Sequence, residues 1–162
     1  MARRRNSGDG ADTRTAYDRA LAMLARREYS QRELHTRLER AGCAAAESQA
    51  AIDALHDHGY QDDRRFGEML VRTRVAQGYG PTRIRAELKT HALTDAAVRE
   101  LLDAAGVDWA ELALAQLRKK FGARRAVDYA ERGKRAAFLL RRGFAAETVR
   151  IVTHSEVGGP SV

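Results

Sequence analysis

An all-α fold built from three tandem three-helix units is predicted by three observations. Alanine, arginine and leucine dominate the 162 residues, and only two prolines occur, Pro81 and Pro160. These are strong helix formers, while the valine, isoleucine and threonine runs that support strands are missing. Helix start and stop signals then follow one another almost without pause from Thr13 onward. Finally, the chain repeats itself: YSQRELHTRL begins at Tyr29 and YGPTRIRAEL at Tyr79, fifty positions later. Leu38, Leu88 and Leu139 continue that register at spacings of 50 and then 51, and Cys43, Leu93 and Phe144 each follow five residues later. A fixed period of this kind marks tandem units that stack, because each unit alone buries too small a core.

The first helix carries Ala20, Leu21 and Leu24 on one face and runs to about Glu28. Ser30 and Glu33 form a capping box that starts the second helix, which places Leu34 and Leu38 inward and stops at Gly42. A third helix buries Ile52 and Leu55 and ends at Gly59. Asp62 or Asp63 caps the fourth, where Phe66, Leu70 and Thr73 keep helical spacing. Gly78 and Gly80 break that helix. Pro81 suits the first position of the fifth, since its missing amide hydrogen had no partner there, and Ile84 and Leu88 face inward. Thr94 caps a sixth helix with Val98, Leu101 and Leu102 inward and Gly106 after it. The seventh, about 107–120, holds Trp109, Leu112 and Leu117, with Phe121 beside them. Asp128 and Glu131 resemble a second capping box and open the eighth, with Phe138 and Leu139 inward and Gly143 at its end. The last helix uses Val149 and Val152.

The expected organisation is a disordered arm at 1–12, repeats at 13–61, 62–106 and 107–156, and a disordered tail at 157–162. Three such units stacked side by side would make an elongated, curved body on the order of 60 Å long, given 1.5 Å per helical residue.

Cys43 is the single cysteine, so no internal disulfide can form. MARRR is followed by the polar stretch NSGDGADT where an export signal would be apolar, and no stretch is apolar enough to span a membrane. A cytoplasmic protein of bacterial type is the simplest reading. The net charge is +7, unevenly spread: residues 110–162 carry 11 basic and 5 acidic groups, whereas residues 1–63 carry 10 and 11. Solubility is the bland account of such an excess, and a polyanionic partner is the sharper one.

Catalytic patterns are not legible. There is no glycine-rich phosphate loop ending in Gly-Lys-Ser/Thr. His56 and His58 are two apart and so diverge on a helix, which favours surface or capping roles over metal binding. Cys43 lies past a helix stop and reads as a small buried residue. Asp62 and Asp63 are better explained by capping than as a hydrolytic carboxylate pair. No catalytic residue, metal site or cofactor is expected; the chain reads as a binding protein.

For contacts, the candidates are the cations of the second and third units: Arg83, Arg85, Lys89, Arg118, Lys119, Lys120, Arg124, Arg125, Arg141 and Arg142, with Lys134 and Arg135 close by. Each alone is more readily a solvated charge. Together they form a basic path suited to a phosphate backbone, whose neutralisation releases counterions. No segment alternates aromatic and basic residues closely enough to mark a base-stacking platform. The alternative is an autonomous DNA-binding protein of helix-turn-helix type, with the Gly80-Pro81 turn leading a recognition helix that carries Arg83 and Arg85.

The stretch GYQDDRRFGEMLVRTRVAQGYGPTRIRAELKTHAL, residues 59–93, closely resembles the RecX family of bacterial recombination regulators. Gly59, Tyr60, Asp62, Asp63, Arg65, Phe66, Gly80, Pro81, Ile84, Glu87 and Leu88 occupy the positions of that family's pattern. Tyr29 to Leu34 and Phe138 to Phe144 look like it too, so the resemblance runs from about 15 to 155. KTHAL at 89–93 departs from it, His91 standing where a glycine would close the helix. The resemblance implies tandem three-helix modules that bind the RecA recombinase, chiefly as its filament on single-stranded DNA; weak binding to free DNA is a further expectation from the basic path. The resemblance also implies restraint of ATP hydrolysis, strand exchange and co-protease activity, and hence a role in recombinational repair and the SOS response. The matching residues are read as core, turn and cap positions, not as contacts.

Overall fold

The structure, a computed structural model, describes residues 14–155; the expected terminal arm and tail lie outside the described residues. Among the described residues there are nine α-helices and no strand: α1 (Ala16–Leu24), α2 (Gln31–Arg40), α3 (Ala45–Asp57), α4 (Asp63–Ala76), α5 (Pro81–Thr90), α6 (Asp95–Ala104), α7 (Trp109–Phe121), α8 (Tyr129–Arg141) and α9 (Ala146–Ser155). They pack in threes, and the chain divides into two compact units, Met1–Asp62 and Asp63–Val162.

In the first unit α1, α2 and α3 enclose a core of Ala16, Ala20, Tyr29, Leu34, Leu38, Ile52 and Leu55. Thr15 caps α1, and both halves of a capping box form there with Asp18. Ser30 Oγ accepts from the Glu33 amide as expected. The Glu33 carboxylate turns to Arg27 (2.7 Å) and Arg37 (3.1 Å). Burial pushes this carboxyl up, but the two guanidinium groups outweigh that and hold it below the usual range. His58 is the C-cap of α3, and its Nδ1 lies 3.2 Å from the Tyr17 hydroxyl. Cys43 is a free thiol, half-buried against this core.

The second unit holds two cores. Phe66, Leu70, Val71, Ile84, Leu88, Val98, Leu101 and Leu102 join α4, α5 and α6. Ala113, Leu117, Leu139, Phe144, Val149 and Val152 join α7, α8 and α9. Trp109 packs against both. The repeated leucines Leu38, Leu88 and Leu139 are all fully buried, so the fifty-residue register is a packing register.

Each middle helix is also tied back by an arginine–carboxylate clamp: Arg27 to Glu33, Arg74 to Glu87 and Arg124 to Glu131. The second is bidentate, with Arg74 Nε and Nη2 donating to the two Glu87 oxygens at 2.7 and 2.6 Å. That hydrogen bonding holds the Glu87 carboxyl below its usual range.

The departure at KTHAL takes a form the sequence did not suggest. His91 keeps an ordinary φ of −90°, its ring packing 4.5 Å from that of Phe66. The left-handed position is one residue later, Ala92, with φ +63°. Ala92 thus stands in register with Gly42 and Gly143, whose φ values are +90° and +88°. At the latter two ends the amides of Cys43 and Phe144 reach back to the carbonyls of Leu38 and Leu139 at 3.0 and 3.2 Å, as in a Schellman closure.

Candidate nucleic-acid and protein interface

Within the second unit, the end of α8 meets the start of α5. An α-helix leaves its first amides and last carbonyls without internal partners. Here they satisfy one another: the Gly80 amide donates to the Arg142 carbonyl at 2.8 Å, and the Thr82 amide donates to the Gly143 carbonyl at 2.9 Å. Pro81, between them, has no amide hydrogen to place. The positive end of the α5 dipole also faces the negative end of α8. Such proximity demands glycine on both sides. A Cβ at Gly80 would run into the Gly143 backbone, and one at Gly143 would run into Arg83.

This seam recruits one of the candidate cations. The Arg142 guanidinium donates to the Gln77 carbonyl at 2.6 Å and to Gln116 Oε1 at 3.1 Å, and its Cζ lies 4.5 Å from the Tyr79 ring centroid. Arg142 is therefore a fold element in this structure, half-buried, whereas its neighbour Arg141 is exposed. The Arg83 guanidinium joins the same ring, 4.0 Å from its centroid. Tyr29, fifty residues earlier, is likewise covered by Arg27 at 3.5 Å. The repeated tyrosine is a platform for arginine in both modules.

The other nine candidates are exposed. Lys89 pairs with Asp95 at 2.8 Å, and this lysine, with Arg99 and Arg85 also near, holds the Asp95 carboxyl below its usual range. Arg118, Lys119 and Lys120 crowd the last turn of α7, where cations also complement the helix dipole. Arg124 pairs with Glu131 at 3.2 Å. Lys134 is exposed, but Arg135 is fully buried: it donates to Glu131 at 2.9 Å and to the Arg124 carbonyl at 2.7 Å. Sequence position alone cannot separate these neighbours, because helical spacing tells which face a residue occupies and not what loop folds over it.

The helix-turn-helix alternative needs the first turn of α5 free to enter a groove. That turn is engaged by α8, and its Arg83 lies over Tyr79. No group of three or more histidine, cysteine, aspartate or glutamate side chains among the described residues is placed to hold a metal ion. No helix among them is long and apolar enough to cross a membrane.

Comparison with known proteins agrees with the architecture. Models of the first, second and third three-helix domains of RecX match residues 16–55, 62–102 and 107–153. Regulatory protein RecX of Xanthomonas campestris pv. campestris is 43% identical over 143 residues, covering 88% of each chain. That of Acidithiobacillus ferrooxidans is 47% identical over 133 residues, covering 82% of this chain and 85% of the relative. The crystal structure of RecX from Lactobacillus salivarius superposes with a TM-score of 0.72 at 19% identity, covering 88% of this chain and 94% of that one, a likeness of fold. Three consecutive domain matches and relatives of this identity over most of their length establish that the chain belongs to the RecX family.

Proposed function

We propose that this chain is a cytoplasmic, non-catalytic regulator that binds the RecA recombinase as its filament on single-stranded DNA. In this reading it restrains the filament's ATP hydrolysis, strand exchange and co-protease activity, and so bears on recombinational repair and the SOS response. The observation that carries the reading is identity of 43–47% with proteins named Regulatory protein RecX, over most of their length. The exposed cations of the second unit support it, since a strand within a filament presents phosphates and the recombinase presents its own surface to the same ligand. Arg85, Lys89, Arg118, Lys119, Lys120, Arg124, Arg125 and Arg141 are the proposed contacts, with Arg83 exposed beside them at the seam and Arg142 holding the seam together.

Binding to labelled single-stranded DNA, naked or coated with recombinase and a non-hydrolysable ATP analogue, tests the reading. The coated strand is expected to bind this chain more tightly. Equal or weaker binding to the coated strand would favour an autonomous DNA-binding protein.

A further inference from the structure

The loop between α7 and α8 is pinned in a way that solubility does not explain. One Glu131 oxygen accepts from the Val127 amide at 3.1 Å, while the other accepts from Arg124 at 3.2 Å and Arg135 at 2.9 Å. Arg135, 0% exposed, also donates to the Arg124 carbonyl at 2.7 Å. Asp128 caps α8 by accepting from the Glu131 amide at 2.8 Å. Both carboxylates of the segment are thus drawn into the fold. Besides the exposed Arg124 and Arg125, the pinned loop and the start of α8 leave two large apolar side chains outside: Val127 is 71% exposed and Tyr129 84%.

The surroundings of Tyr129 suit one kind of ligand. Residues 118–135 contain eight cations and two carboxylates, so the local field attracts a polyanion. The Arg132 guanidinium lies 5.9 Å from the ring centroid. One helical turn beyond the tyrosine, where a side chain would flank the ring, stands Gly133, and a Cβ there would meet nothing within 4 Å. Tyr129, Arg132, Gly133, Ala136, Thr153 and His154 line a shallow pocket of about 180 Å³. An exposed aromatic with an open flank, a neighbouring guanidinium and a basic approach is the arrangement on which single-stranded nucleic acids stack their bases. The sequence conceals it because the lining is not contiguous: the pocket is assembled from α8 and α9.

We propose that Tyr129 is a base-stacking contact for single-stranded nucleic acid, with the Gly133 gap as the slot that admits the base. The proposal rests on the reading of this chain as a binder of DNA-bound recombinase and deepens it by naming where a base is held.

The test uses the full chain, a labelled oligothymidylate and an abasic phosphodiester strand of equal length. Tyr129→Ala is expected to weaken oligothymidylate binding about 5-fold to 150-fold, the range of one lost base–aromatic stack. Tyr129→Phe keeps the ring and should bind as the unaltered chain does. Gly133→Leu should weaken binding while raising the melting temperature, since it removes an exposed glycine from a helix interior. Loss of affinity with gain of stability cannot be unfolding. Neither variant should change affinity for the abasic strand or the slope of log affinity against log salt.

Unchanged oligothymidylate binding by both Tyr129→Ala and Gly133→Leu overturns the proposal. So does an equal loss on the abasic strand, or a loss confined to recombinase without DNA, which would make the patch a protein contact. If the variants bind oligothymidylate normally while the unaltered chain still inhibits the filament, only the stacking proposal falls. If the unaltered chain neither binds the strand nor inhibits, the underlying reading falls with it.

Discussion

Replacing Gly143 by alanine probes the seam between the second and third modules. Two effects combine there. The left-handed φ of +88° disfavours any side chain by about 1–2 kcal/mol. Reduced freedom of the unfolded chain offsets about 0.4–1 kcal/mol of that. The new Cβ must also displace Arg83, breaking the bonds from Gly80 and Thr82 to the end of α8, each contributing about 0.5–1.5 kcal/mol. The sum is a destabilisation of about 1–5 kcal/mol, centred near 3. Gly106→Ala is the control: φ is +60°, in the same unit, and a Cβ would meet nothing within 4 Å. Only the backbone effect remains, about 0–1.6 kcal/mol, so the variants should differ by the two lost bonds, about 1–3 kcal/mol. Urea unfolding followed by Trp109 fluorescence, which reports on both cores of this unit, measures the difference. Equal losses for the two variants would refute the mutual capping of α5 and α8.

Three further outcomes are expected. Ala92→Gly should stabilise the chain by about 0.5–1 kcal/mol in the same assay, because alanine at φ +63° carries strain that glycine lacks. Glu87→Gln should destabilise by about 1–2 kcal/mol at neutral pH, given a half-buried bidentate pair. Since the folded carboxyl titrates below its unfolded value of about 4.3, this contribution is full above that pH and is lost as pH falls through the lower folded value. The stability gap between wild type and variant, measured by urea unfolding from pH 7 downward, should therefore close in acid. Charge reversal at Arg118, Lys119, Lys120, Arg124 and Arg125 should weaken inhibition of the filament with helicity retained; undiminished inhibition would displace the contact surface from α7 and the loop after it.

The repeat and its helices were legible because spacing in sequence is spacing on a helix. Leu38, Leu88 and Leu139 could be placed in the core without coordinates, and Thr94, Asp128 and Pro81 could be assigned to helix starts from local chemistry alone. The seam was not legible. Arg141 and Arg142 are identical side chains one residue apart, and only the approach of Gln77, Tyr79 and Gln116 from elsewhere in the chain distinguishes them. Tyr129 shows the same limit from the other side. It falls where a helix begins, as Tyr29 and Tyr79 fall just before one, but those are covered by arginine and core while Tyr129 stands 84% exposed. Long-range closure decides which side chains remain available, and periodicity carries no record of it.

ATP turnover by the recombinase on single-stranded DNA, followed while this chain is titrated in, bears most directly on the claim that the protein regulates a filament by binding it. Suppression should be complete at well below one molecule per nucleotide, since a bound regulator acts on more recombinase than it covers. No suppression, or suppression only when enough protein is present to coat the strand, would contradict that claim.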